Sequence, residues 1–403
     1  MKIRIIAMVW LCAFSAPAFA ANEPSANKPA ANWVGTWAAA PMACPVRSGE
    51  PSAGDSTYRN VMRITIGGKA LRVVLTDEYG NSDLVVGAAR IAIDAGNGGI
   101  KPSTAHALTF GGHSSVTIPA NGLMVSDEVP MDVAPLSTLS VAVYLADQEI
   151  AAKTCHELGM STNYITKGDS TGTAAGKNAR TTDTWNFVKG IDVIADKNAF
   201  AIVAFGDSIT DGYGSTKDAN HRWPDYFADR LQNNPKTSQI SVLNEGISGN
   251  RVLRNGMGAN ALVRFDRDVL AQSGARYLII LEGINDVKWD DPTQLASAEE
   301  LIVGISQLIS RAHAHGLTVY VATLTPYQGD DEYTEKGEAA RVALNNWIRT
   351  SGAPDAVIDF DKVTRDASKP KAFDPRYDSG DHLHPGDAGY RAMGEAVDIA
   401  LFQ

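Results

Sequence analysis

Hydrophobic and polar positions change rhythm once along this chain. From residue 33 to about 164 they follow a period of two. Residues 60–66 alternate, Gly67-Gly68 makes a turn and residues 71–75 follow, which predicts a β-hairpin. Short runs at 84–86, 90–93, 115–118 and 139–145 are punctuated by Gly, Asn, Asp and Pro, with no helical stretch between them. Strands at that spacing predict an antiparallel β-sandwich over residues 33–165. Residues 166–190, rich in Gly, Thr, Ser and Asn with little to bury, are expected to connect it to a second domain. Beyond 190 the apolar runs become continuous, at 199–205, 240–243, 277–281, 317–322 and 356–358, as strands buried on both faces require. Helical spacing fills the gaps. Leu262, Phe265, Val269 and Leu270 share one face, as do Leu301, Ile305, Leu308 and Ile309. Pro224 suits the first turn of a helix over 225–231, and residues 339–348 and 390–401 supply the last two. Five strand–helix alternations over 191–403 predict an α/β domain, a parallel sheet with helices on both faces.

Composition adds bounds. The chain has 403 residues, 44% hydrophobic and 20% charged, as soluble globular proteins do, and its length suits two domains. Lys2 and Arg4 precede an apolar stretch over 5–14, and Ala18-Phe19-Ala20 follows. That reads as a secretory signal peptide over 1–20, too short to span a bilayer, with a loose leader over 21–32. The expected product is exported to the periplasm or beyond, with no stable membrane anchor. Its net charge of −10, made more acidic by loss of Lys2 and Arg4, offers nucleic acid no electrostatic footprint. Cys12 departs with the signal, leaving Cys44 and Cys155 as an expected disulfide. Neither sits in a His/Cys cluster, so these thiols are expected to have no catalytic or metal role; no metal and no cofactor is expected elsewhere in the chain.

The run at 199–205 ends abruptly at Gly206-Asp207-Ser208, which delivers Ser208 to the carboxyl edge of the sheet, where open α/β folds bind ligands. A serine hydroxyl is a poor nucleophile at neutral pH and needs a base, an orienting acid and oxyanion donors. Three further segments follow predicted strands or lie near the carboxyl terminus: Asn244-Glu-Gly-Ile-Ser-Gly249-Asn250, Gly283-Ile-Asn285-Asp286 and Asp381-His-Leu-His384-Pro385. Connections at the carboxyl ends of parallel strands converge on one crevice, so these segments can meet Ser208.

These four blocks, in this order, resemble those of the SGNH, or GDSL, family of serine hydrolases over roughly residues 195–403. The first block departs slightly, ending in Ile209-Thr210 rather than the eponymous leucine. The opening Trp33-Val-Gly-Thr-Trp-Ala-Ala-Ala-Pro41 is similar to a secreted two-domain branch of that family. The resemblance implies a flavodoxin-like three-layer α/β/α domain that hydrolyses carboxylic esters through an acyl-enzyme. Carried onto this chain, Ser208 is the nucleophile, His384 the general base and Asp381 its orienting partner. The oxyanion hole is the backbone N–H of Ser208 and of Gly249 with the side-chain amide of Asn285. The expected substrate is a short-acyl ester of a carbohydrate or small alcohol, polysaccharide included. Transfer of the acyl group to a glycan, or a carbohydrate-binding protein without catalysis, are the alternatives. The sequence does not reveal what the β-module does: it reads as a carbohydrate binder or, at least as readily, as a purely structural cap for the second domain.

Other patterns weigh less. Gly168-Asp-Ser170-Thr-Gly172 matches a nucleophile elbow but lacks the strand and helix that must flank one. His313 and His315, two apart on a helix, point to different faces. Asp290-Asp291 and Asp330-Asp-Glu332 are expected to be solvated acids, and His382 a neighbour of the site rather than its base. Trp223, Trp289, Tyr213 and Tyr327 lie near the motif loops and suit either a pocket wall or the core.

Overall fold

The uninterrupted apolar runs become the central layer of the carboxyl-terminal half. In the computed structural model, which describes residues 31–44, 54–175, 178–289 and 291–403, Phe200–Gly206 is buried along its whole length. It lies between Ile240–Gly246 on one side and Ala275–Leu281 on the other, followed by Thr318–Ala322 and Ala356–Ile358, all parallel. The first strand is thus interior, with its successors on opposite sides. The connections leaving its carboxyl end diverge there and open a crevice.

Helices complete the three-layer α/β/α domain. Trp223–Gln232 packs with Asp387–Ala396, and Ala298–Ala314 with Glu335–Thr350. Ser297 and Glu300 form a capping box at the start of Ala298–Ala314 and satisfy two donors that the first turn leaves open. Two expected helices are less regular. Ala261–Phe265 widens into a π-turn over Asp266–Leu270, and the last helix breaks after Ala396 before a 3-10 turn at Ile399–Phe402.

The amino-terminal half is an antiparallel β-rich module of several sheets. The hairpin expected across Gly67-Gly68 does not form. Ser56–Arg63 pairs with Thr138–Leu145 and Asn163–Lys167, whereas Gly68–Thr76 pairs with Val188–Ile194 and Val129–Val133 in another sheet. Between them the chain crosses from one sheet to the other. The Thr36 hydroxyl donates to the Ile66 carbonyl at 2.7 Å and accepts the Ile66 N–H at 3.0 Å, pinning the crossing. Residues 166–190, expected as a connection, carry Arg180–Thr182, Trp185–Asn186 and the start of Val188–Ile194. Asn186 ties the segment down, its backbone N–H donating to Asn60 Oδ1 at 2.7 Å and its side-chain amide to the Thr184 carbonyl at 2.9 Å, so a loop-like composition folds into sheet.

Cys44 and Cys155 are joined as expected, linking Met42–Cys44 to the paired strand Lys153–His156 across 111 positions. Asn32–Gln403 forms one compact unit, and one hydrophobic core runs through module and α/β domain alike. Trp33–Ala38 packs against Ile240–Gly246, and the Thr65 and Ser241 hydroxyls meet at 2.7 Å. The expected signal peptide (1–20), and the leader (21–32) apart from its last two residues, lie outside the described residues. No helix among the described residues is long and apolar enough to cross a membrane.

Candidate active site

Ser208 opens a single helical turn, Ser208–Asp211, directly after the central strand. Asp207 precedes it in extended conformation and its Oδ1 accepts the Ile209 N–H at 3.0 Å, so the turn is capped by the residue before the serine. A first-turn N–H has no acceptor within its own helix, which leaves the Ser208 N–H open toward the crevice end of the strand.

The Ser208 hydroxyl lies 2.8 Å from His384 Nε2, across 176 positions of sequence. On the far side of the ring, His384 Nδ1–H donates to Asp381 Oδ2 at 2.7 Å. Asp381 Oδ1 also accepts the backbone N–H groups of Leu383 and His384, at 3.0 and 2.8 Å. Partial burial works against the charged form of Asp381, but the His384 ring and these backbone donors outweigh it and hold the carboxyl well below its ordinary range. His382, two positions before His384, turns outward instead and pairs with Asp378.

The second block is tied to the turn that Ser208 begins, the Ser248 N–H donating to Asp211 Oδ2 at 2.9 Å, and the third block is tied to the second. Gly249 has φ +73°, and a Cβ there would stand 2.6 Å from Met257 Cγ, so only glycine fits without displacing that neighbour. Asn285 Nδ2 donates one hydrogen to the Asn250 carbonyl at 2.9 Å, which fixes the amide and leaves its second hydrogen for a ligand. Asp286 accepts the N–H groups of Val252 and Leu253, at 2.8 and 3.1 Å, tying the third block to the second. Tyr213 is the aromatic at the mouth: its ring centroid is 4.5 Å from that of His384 and nearly half its surface is exposed. Trp289 stacks under the Arg251 guanidinium at 4.2 Å, whereas Trp223 and Tyr327 are wholly buried.

Beneath the crevice lies a buried charged group that sequence reasoning missed. Arg264 donates to the Gly206 carbonyl at 2.9 Å, the Glu245 carbonyl at 2.7 Å and Asn250 Oδ1 at 2.9 Å. One guanidinium thus joins the ends of two strands to the loop after the second. Its fork of donors suits that task, but an arginine on an otherwise apolar helix carries no local sign of it. Burial pushes the nearby acids up, Asp207 to about 7 and Asp286 to about 6, and Glu282 well above its ordinary range.

The remaining patterns are accounted for elsewhere. Ser170 of the elbow-like segment sits in a loop after Asn163–Lys167, where its hydroxyl meets that of Thr166. His313 pairs with Asp355 and His315 with the Arg311 carbonyl. Asp330 and Glu332 flank Lys288 at 3.4 and 2.7 Å, and Asp290 lies outside the described residues. No cluster of three or more His, Cys, Asp or Glu that could hold a metal occurs among the described residues.

Among solved structures, the chain is similar to a GDSL-like lipase from Bacteroides thetaiotaomicron, with 24% identity, 50% of this chain and 87% of that one covered, and a TM-score of 0.38. It is also similar to a carbohydrate acetylesterase from Sinorhizobium meliloti (17% identity, 51% and 100% covered, TM-score 0.40). The aryl esterase of M. smegmatis gives 18% identity, 49% and 96% covered, and a TM-score of 0.40. No curated protein matches the chain. The family model of the GDSL-like lipase/acylhydrolase family matches residues 204–392, the stretch that carries all four blocks, so a GDSL-like lipase/acylhydrolase domain occupies that part of the chain.

Proposed function

We propose that this protein is an exported carboxylic ester hydrolase working through an acyl-enzyme on Ser208, with a β-module whose last strand is Val188–Ile194 and a hydrolase domain whose first strand is Phe200–Gly206. The observation that carries the reading is the line of contacts from Ser208 Oγ to His384 Nε2 and from His384 Nδ1 to Asp381. In the first half-reaction Ser208 Oγ attacks the acyl carbon and its proton passes to His384 Nε2. The carbonyl electrons move onto oxygen, where the N–H groups of Ser208 and Gly249 and the Asn285 amide receive the charge. Asp381 holds the ring in the tautomer that leaves Nε2 free and stabilises the imidazolium that forms. Collapse breaks the bond to the alcohol, which leaves with the proton from Nε2. Water then repeats the sequence and releases the acid. No step calls for a metal or cofactor.

The substrate class is a short-acyl ester of a carbohydrate or small alcohol. Support comes from the exposed Tyr213 ring beside His384, a flat apolar face beside the atom that must protonate the leaving group. Export rests on the residues at 1–20, which carry the positive, apolar and small-residue regions of a signal peptide in order. The test is hydrolysis of para-nitrophenyl acetate and acetylated sugars by the wild type and Ser208→Ala. The variant should fold and lose turnover, and retained turnover would defeat the reading.

A further inference from the structure

Asp211 ends the helical turn that Ser208 begins, and it is almost wholly buried. Its Oδ2 accepts both the Ser248 N–H at 2.9 Å and the Ser248 hydroxyl at 2.8 Å. Ser248 is the residue before Gly249. One carboxylate therefore clamps the turn that carries the nucleophile to the loop that carries the second oxyanion donor. The turn lies close against the end of the second strand, where a Cβ on Gly246 would stand 2.3 Å from the Asp211 nitrogen. The other carboxylate oxygen, Oδ1, is 2.9 Å from His156 Nε2, and His156 belongs to the antiparallel module.

The chemistry of that contact is constrained. His156 Nδ1 faces the Ala40 carbonyl at 2.9 Å, which can only accept, so Nδ1 carries a hydrogen. Nε2 faces a carboxylate, so the ring holds its second proton there and the contact is an imidazolium–carboxylate pair. Burial opposes that charge, but Asp211 outweighs it and raises the His156 pKa above its ordinary value. The other charged group facing the pair is Arg222, which is held by Asp225 at 2.7 Å and lies over the Trp185 ring beside the imidazole. His156 ends one of the two strands that Cys44 and Cys155 join and Ala40 lies two residues before the other, so the ring is seated on a cross-linked support.

We infer that His156 is a positioning residue for the reaction proposed above: it fixes Asp211, Asp211 fixes Ser248, and the Gly249 N–H is thereby aimed at the oxyanion. The antiparallel module is in this sense part of the active site, although none of its described residues bonds to Ser208, His384 or Asp381. Without the imidazolium, Asp211 Oδ1 is a buried acceptor with no donor, and the carboxylate must turn away from Ser248 to find one. Misplacing a catalytic group by about 1 Å costs on the order of 100-fold in rate.

The test compares the steady-state constants kcat and KM for hydrolysis of para-nitrophenyl acetate by His156→Phe, His156→Gln, Ser248→Ala and the two double variants, with Ser208→Ala beside them. His156→Phe should lower kcat by about 10- to 100-fold with KM within about twofold, as loss of a transition-state interaction does. His156→Gln, whose amide can still donate to Asp211, should recover part of the loss. Adding Ser248→Ala to His156→Phe should cost much less than adding it to the wild type, because both act through one clamp. An unchanged kcat in a folded His156→Phe, or additive losses in the double variant, would overturn the inference. If His156→Phe does not fold, His156→Leu, which likewise leaves Asp211 Oδ1 without its donor, takes its place in the same cycle and is judged by the same criterion. Turnover retained by Ser208→Ala would instead defeat the reaction itself, so the two failures are distinguishable.

Discussion

The Asn285 side chain spends one amide hydrogen on the Asn250 carbonyl and has the other in reserve. Removing that reserve leaves the base, the nucleophile and the two backbone donors intact. Asn285→Ala should therefore lower kcat by about 10²–10³-fold with little change in KM, as loss of one oxyanion donor does. A kcat within threefold of wild type would remove Asn285 from the reaction. The blocks themselves were legible because three of them stand just past an apolar run and the fourth near the carboxyl terminus, and Ser208, His384 and Asp381 lie in contact in the fold. His156 was not legible. An isolated histidine beside a cysteine says nothing of an aspartate 55 positions later, and the meaning of the pair exists only once the two halves have packed.

Strands buried on both faces announced themselves as unbroken apolar runs, and all five form the parallel sheet. The module was harder to read at this scale. Gly67-Gly68 has the look of a hairpin turn, but the strands on its two sides find partners in different sheets, and pairing across sheets is a non-local choice. Residues 180–186 look like a loop because Thr and Asn dominate, yet they pair with neighbouring strands. Arg264 governs how the carboxyl ends of the sheet hold together. Arg264→Leu would leave the Gly206 and Glu245 carbonyls and Asn250 Oδ1 without their shared donor, while Asp268 keeps Arg267. Removing one partner from a buried ionic network costs about 3–5 kcal/mol, and urea unfolding of the variant should register a loss of that size. A loss below about 1 kcal/mol, the usual scale of a surface charge, would mean the carbonyls are satisfied some other way.

Among the described residues, one large core is shared by both halves and the Cys44–Cys155 bond links two strands of the module. Replacing Cys44 and Cys155 together by serine should lower the unfolding free energy by about 2–5 kcal/mol, the usual range for a native disulfide. Equal stability before and after, measured by denaturant titration, would contradict it. Stability should also depend on pH in a definite direction. Burial raises Asp207 and Asp77 to about 7 and Asp286 to about 6 in the folded chain. Unfolded aspartates lose their protons near ~3.9, so the folded state holds more protons between about pH 4 and 7. Stability is then greatest at the acid side of that window and falls as pH rises through it. The raised His156 acts in the same sense above the ordinary histidine pKa of about 6.5. Asp381 acts oppositely, stabilising above its unfolded pKa and losing that contribution only as pH falls below it. Asp207→Asn keeps the oxygen that caps Ile209 and removes one titration, so its melting temperature should fall less steeply between pH 4 and 7 than that of the wild type. An identical slope would show that Asp207 is ionised in both states.

The central claim is that Ser208, activated by His384, is the nucleophile. Its most direct measurement is the site of covalent labelling by a fluorophosphonate, found by mass spectrometry of the digested protein. The adduct should fall on the peptide containing Ser208, at full stoichiometry in the wild type and strongly reduced in His384→Ala. A label on another residue, or none on a folded protein that still hydrolyses esters, would contradict the account.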